Sequence, residues 1–247
     1  VMGSHATGSG AWCSGPEDVS PPEYFWGYNR MTSVEGLFGA GDAVGGTPHA
    51  FSSGSFTEGR LAAKAACKYI DDGKAEGIVV SEGQINRRKE EIYKPLEHYR
   101  IYRNAIVAGD VNPHYINPKQ GLDRLQKLMD EYCGGATVNY MTNEKLLNIG
   151  LKKLAIMEED LESLAAKDVH ELLRAWELKH RHRAAESVTQ HTLFRKETRW
   201  PGYYYRGDAM KVDDENWHVL TVSRRDPKTG EYTMEKAPCY HLVADEK

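Results

Sequence analysis

Gly39-Ala40-Gly41-Asp42, followed downstream by Ser52-Ser53-Gly54-Ser55-Phe56, is the arrangement in this chain best suited to chemistry. Glycines let the backbone turn sharply and let a ligand come close, and the Asp42 carboxylate can accept a hydrogen bond from a sugar or ribitol hydroxyl. A helix opening in serines presents free N–H groups and about half a positive charge to an anion. Together the two suit a nucleotide-like cofactor. They are not the dinucleotide fingerprint, because a third glycine is missing and no helix starts straight after Gly41. On pattern alone, a plain turn between strand and helix explains the same residues equally well.

His5, in a Gly/Ser loop, offers an imidazole able to donate a proton or bind an oxyanion. On spacing alone, an ordinary exposed histidine, or a linker scar over Val1–Gly10, accounts for it too. Metal chemistry is not indicated. Glu177-Leu178-Lys179-His180 holds a single Glu-x-x-His where a carboxylate-bridged di-metal site needs two, so it reads as surface charge; His182 and His191 lack partners at ligand spacing. Cys13, Cys67, Cys133 and Cys239 lie far apart with no CxxC pair. That spacing argues against zinc, an iron–sulfur cluster and a disulfide scaffold, and makes a reducing cytoplasm the expected compartment.

The elements that must position these groups fall into two textures. Residues 1 to about 56 are rich in Gly, Ser, Pro and aromatics; helical patterns dominate from Thr57 onward. Gly36–Asp42 is predicted as a short buried strand ending in a glycine-rich turn, and Leu61–Cys67 as part of a small-residue helix whose N-terminus lies at Ser52–Phe56. Ser81 with Gln84 forms a capping-box pattern, as does Asp168 with Glu171. One helix should bury Leu122, Leu125, Leu128, Met129 and Tyr132, a second Leu147, Leu151, Leu154, Leu161 and Leu164, and a third Val169, Leu172, Leu173 and Trp176. A helical bundle follows, and after it a hairpin from His218–Val222 and Tyr232–Glu235 about the turn Asp226–Gly230.

Composition removes several classes of function. The 247 residues are 40% hydrophobic and 28% charged with a net charge of −4, which excludes disorder and gives no overall positive field for nucleic acid or an anionic membrane. No apolar run approaches the ~20 residues of a membrane helix, and there is no secretory signal pattern. Arg195–Trp200 and Tyr203–Arg206 interleave cations with aromatics as single-strand binders do. With Glu197 among them and the chain acidic, ion pairing and domain or subunit contact is the expected role.

Tyr28–Asp42 and Pro48–Arg60, together with Leu125–Tyr132, His170–Leu178 and Phe194–Tyr205, closely resemble the flavoprotein (alpha) subunit of dissimilatory adenylylsulfate reductase, within the fumarate reductase and succinate dehydrogenase flavoprotein superfamily. The likeness runs through nearly the whole chain but covers only the C-terminal part of that subunit. The implied fold is α+β: residues 1–90 as the C-terminal part of an FAD-binding α/β domain, and 91–247 as a mostly helical domain with a hairpin-like tail. The implied activity is reduction of adenosine 5′-phosphosulfate to sulfite and AMP through a flavin N5–sulfite adduct, or its reverse.

By the same resemblance, His5 matches the active-site histidine loop rather than a scar and binds the sulfate end or supplies a proton. Gly41 and Asp42 hold the ribitol side of FAD. Ser52, Ser53, Ser55 and Phe56 face the flavin pyrimidine edge, and His49 and Phe51 line the pocket. Electrons come from a small iron–sulfur beta subunit, for which the aromatic, charged tail offers a contact surface.

Dicarboxylate reductases of the superfamily carry an arginine in the loop that here reads Thr47-Pro48-His49-Ala50-Phe51-Ser52-Ser53. Without it a dicarboxylate loses a charge-assisted pair worth about 1.5 to 3 kcal/mol per hydrogen bond. The alternatives are a fumarate or succinate enzyme, or a non-catalytic helical interaction module. Lacking the surface for adenosine and pyrophosphate, these 247 residues alone are expected to bind FAD poorly.

Overall fold

The computed structural model describes residues 9–45, 52–105, 111–199 and 204–240. The chain divides into two compact units at Val80/Ser81, with Tyr240 returning to the first.

In the first unit, extended segments exchange bonds without building a regular strand. Cys13 bridges Thr32, Met31 bridges Phe38, and Ala11 runs parallel to Val44. The strand expected over Gly36–Asp42 does not form, and Leu37 is exposed rather than buried. Positive φ at Gly36 (77°) and Gly41 (64°) explains this: only Leu37–Gly39 can follow the ladder before the chain turns into a 3₁₀ turn, Gly41–Ala43. Helix α1, Ser52–Asp71, starts where its serines predict. Its buried face is Glu58, Ala62 and Tyr69. The Tyr69 ring packs edge-on against Tyr28 and Phe38, which fixes the 28–38 hairpin along the helix.

The second unit is helix upon helix: α2 (Glu82–Tyr102), α3 (Pro118–Tyr132), α4 (Glu144–Leu161) and α5 (Val169–Phe194). The Ser81/Gln84 capping box is present, and Asn117/Gln120 forms another at α3. Asp168 accepts from the N–H groups of His170 and Glu171, whereas the Glu171 carboxylate reaches back to the Lys167 N–H. Leu125, Leu128, Leu154, Met157, Leu161, Leu164, Ala175, Leu178 and Ala185 form the core, as the stripes on α3 and α4 predict.

On α5 the expected face is half right: Leu172 is buried and Trp176 half-buried, but Val169 and Leu173 are 65% and 57% exposed, and the buried line runs Leu172, Ala175, Leu178, His182, Ala185, Thr189. Small residues let α5 lie close to its neighbours, so packing favoured the alanine line over the bulkier one. The approach is tight enough that a Cβ on Gly121 of α3 would sit 2.4 Å from Leu178 Cδ2. Along α2, Pro95 interrupts the backbone ladder; the Trp176 indole donates to the Ile92 carbonyl at 3.1 Å, and Ala166 N–H to the Pro95 carbonyl at 2.9 Å.

Two small sheets complete the unit. β1 (Met141–Thr142) runs parallel to β2 (Tyr205–Arg206). After a short helix, α6 (Asp214–Trp217), β3 (Val219–Arg225) pairs antiparallel with β4 (Tyr232–Pro238), Val219 opposite Pro238 and Arg225 opposite Tyr232. That is the expected hairpin, each strand running three residues further and β3 starting one residue later than expected.

The cations of the 195–206 segment turn inward. Arg206, 1% exposed, donates to the carbonyls of Thr192 and Arg195 at the C-terminus of α5 and forms a two-point pair with Asp208 at 2.9 and 3.0 Å. Asp208 in turn accepts the Glu144 N–H at the first turn of α4. A cation thus closes one helix's negative end and an anion the next helix's positive end, each the favourable sign for the helix dipole. Those bonds from Arg206 hold the Asp208 carboxyl down at about 2. Glu197, its side chain fully buried, accepts from Arg195 and Arg199. The ion pairing expected of this segment is present, and these arginines are engaged within the chain.

Candidate functional site

Gly41 brings the two candidate pieces together. Its left-handed backbone turns the chain so closely onto the opening turn of α1 that a Cβ there would lie 3.2 Å from Ser55 Oγ. Asp42 follows directly, exposed, in the first residues of the 3₁₀ turn, which is closed by the Val44 N–H donating to the Gly41 carbonyl at 3.0 Å. An aspartate is thereby held beside a helix N-terminus.

The first turn of α1 carries no acidic residue, so nothing of its own opposes the partial positive charge there. The opening N–H groups of a helix have no intrahelical partners and are available to a ligand's acceptors. Ser52 and Ser53 are exposed, Ser55 is half-buried, and Phe56 is 81% exposed. An exposed carboxylate and the opening N–H groups of a helix thus lie side by side. His5, His49 and Phe51 lie outside the described residues.

One pair escaped the sequence reading. Arg30, at φ 67°, contacts the buried Glu58 of α1 with both ends of its guanidinium fork, Nη2 to Oε1 at 2.7 Å and Nε to Oε2 at 2.5 Å. Arg30 N–H also donates to the Ser14 carbonyl at 2.8 Å, and its carbonyl accepts from Gly39 N–H at 3.0 Å. The Cys13 thiol lies in the same cluster, where burial pushes its pKa up. No periodicity links residues so far apart; the one available signal was an ionisable residue, Glu58, four before Ala62 on the helix's inner face.

Other candidates resolve as structure. His182, 2% exposed, bonds the Leu154 carbonyl at 2.8 Å and ties α5 to α4. His191 joins α5 to β3 through Thr221 and Ser223 at 3.0 and 2.9 Å, and burial lowers its pKa. Glu177 pairs with Arg174, and His180 is exposed. All four cysteines are free. Among the described residues no group of His, Cys, Asp or Glu is placed to hold a metal, and no helix is long and apolar enough to cross a membrane.

A family model described as "Fumarate reductase flavoprotein C-term" matches residues 122–243. Adenylylsulfate reductase subunit alpha of Megalodesulfovibrio gigas is 40% identical over 98% of this chain and 37% of its own length. The structure of adenylylsulfate reductase from the hyperthermophilic Archaeoglobus fulgidus superimposes with a TM-score of 0.91 at 50% identity, covering 96% of this chain and 38% of that one. An adenosine-5-phosphosulfate reductase in complex with sulfite, a covalent adduct, matches with the same TM-score, identity and coverage. The chain therefore spans little more than a third of the length of these relatives.

Proposed function

We propose, from its match to the C-terminal portion of adenylylsulfate reductase alpha subunits and to the fumarate reductase flavoprotein C-terminal family, that this chain supplies one wall of the flavin site of such an enzyme. The reaction is reduction of adenosine 5′-phosphosulfate to sulfite and AMP, or the reverse. The observation that carries this reading is the contact of the Gly41 turn with Ser55, which sets the Asp42 carboxylate beside the opening N–H groups of α1. FAD, when bound, supplies the electron pair that reduces sulfur.

The chain's own residues do the rest. Asp42 accepts from the ribitol hydroxyls, and the α1 terminus at Ser52, Ser53, Ser55 and Phe56 stabilises negative charge on the pyrimidine edge. Aligned dipoles fixed in advance need no reorganisation when that charge develops. By the resemblance, His5 would bind the sulfate end or deliver a proton and His49 and Phe51 would line the flavin pocket, all three lying outside the described residues. The unit Val1–Val80 would belong to the flavin domain and Ser81–Cys239 to the helical domain, a boundary ten residues earlier than expected because α2, Glu82–Tyr102, is one continuous helix. Electrons arrive from an iron–sulfur partner subunit, consistent with the lack of clustered cysteines here. Four free thiols agree with a reducing cytoplasm.

The absence of an arginine from Thr47–Ser53 separates this substrate from a dicarboxylate. The full-length flavoprotein, co-expressed with its electron donor, should form sulfite and AMP from adenosine 5′-phosphosulfate and leave fumarate unreduced under the same electron supply. Fumarate turnover without sulfite would reject the assignment. In that enzyme, replacing His5 should slow turnover by a larger factor than it weakens flavin retention.

A further inference from the structure

We propose that the Arg30–Glu58 pair is a positioning and charge-setting device for the flavin site, fixing the Gly39–Asp42 turn against the N-terminus of α1 and holding the local field neutral. The inference rests on the function proposed above.

The first support is conformational. Arg30 occupies the left-handed region at φ 67°, which is strained for a long side chain and persists only if its surroundings over-determine it. Here they do. Its N–H is bonded to Ser14, its carbonyl to Gly39, and its guanidinium grips Glu58 at two points. Gly39 is two residues before Gly41, so the strained residue, the cofactor turn and the helix are joined by one short run of bonds. Glycine or asparagine would satisfy this backbone with less strain. Neither would offer the charge.

The second support is electrostatic. The Glu58 side chain is 8% exposed and that of Arg30 22%, so the pair is poorly screened. Glu58 lies six residues into α1, about 9 Å along the axis from Ser52. That is within reach of a terminus whose proposed task is to stabilise negative charge. Paired, the two charges cancel at that range. Unpaired, either one changes the energy of placing an electron pair beside the helix.

This gives a signature that packing alone does not. In the holoenzyme, Glu58→Gln leaves an arginine cation uncompensated and should raise the flavin midpoint potential. Arg30→Gln leaves the carboxylate and should lower it. The double variant, neutral again, should return near the parent value while releasing flavin more readily, because the two-point grip is gone. If Glu58→Gln fails to assemble, the difference between Arg30→Gln and the double variant carries the same test.

Potentials that all move in one direction, or do not move, overturn the inference. A parent holoenzyme that holds no flavin, or holds it and makes no sulfite, overturns the functional reading instead. The two failures are thus distinguishable.

Discussion

Replacing Arg206 by methionine should be among the most damaging single changes in the second unit. The guanidinium is 1% exposed and serves two helix ends at once: carbonyls of Thr192, Leu193 and Arg195 at the end of α5, and Asp208, which receives the Glu144 N–H of α4. Methionine keeps most of the volume but removes every donor. Removing one partner of a buried pair costs about 3–5 kcal/mol, because the other is left uncompensated. Asp208 is 34% exposed and can recover part of its hydration, which favours the lower half of that range. The stranded carbonyls, at roughly 1–3 kcal/mol for a buried unsatisfied group, push the other way.

Urea unfolding followed through Trp176 and Trp217 fluorescence should therefore show a loss of about 3–5 kcal/mol with little change in slope. The loss should also depend on pH. Asp208 has its carboxyl lowered to about 2 from 3.8, chiefly by the bonds from Arg206, so its contribution is complete above the unfolded value and disappears as pH falls through about 2. The gap between parent and variant should narrow over that window. A penalty below about 1 kcal/mol, or one that does not change between pH 5 and pH 2, would refute the two-ended cap.

Three further outcomes follow from single contacts. Gly41→Val forces a β-branched residue into the left-handed region and its side chain towards Ser55, so flavin content per mole of full-length protein should fall, read by visible absorbance, even where the helical unit unfolds normally. Gly121→Val drives atoms into Leu178, whose Cδ2 is 2.4 Å from an ideal Cβ, and should cost about 1–3 kcal/mol or more by urea titration; a neutral result would mean that α3 and α5 are farther apart than described. His191 is half-buried with its pKa lowered by desolvation, so the stability it contributes is present above 6.5 and is lost as pH falls from there through its lower folded value. Amide protection in β3 should therefore weaken on acidification below that point, and His191→Gln should remove most of the dependence.

Much of the helical unit was legible in the sequence because its causes are local. Capping residues such as Ser81 with Gln84 and Asp168 with Glu171 act within one turn, and the leucine spacing on α3 and α4 states which face is buried. The hairpin about Asp226–Gly230 is likewise written in turn chemistry, with Asp226 accepting from Lys228 and Thr229. On the site, residue type and order singled out Gly41, Asp42 and the serine-led helix start as suited to a nucleotide-like cofactor, and the flavin assignment came from the resemblance of longer stretches to a known family.

Tertiary structure decided what depends on partners distant in sequence. On α5 the expected face held only at Leu172 and in part at Trp176, because the close approach of α3, marked by Gly121 against Leu178, buries the line that carries the alanines. Gly36–Asp42 has the composition of a strand, yet left-handed turns at both ends leave only Leu37–Gly39 able to pair. Arg206 and Glu197 were expected in ion pairs, but their burial was not legible: helix ends and opposite charges that meet only in the fold replace the water they give up. Arg30 and Glu58 meet for the same reason: their ion pair, with one hydrogen bond from Nη2 to Oε1, follows from the three-dimensional path of the chain, which no local periodicity encodes.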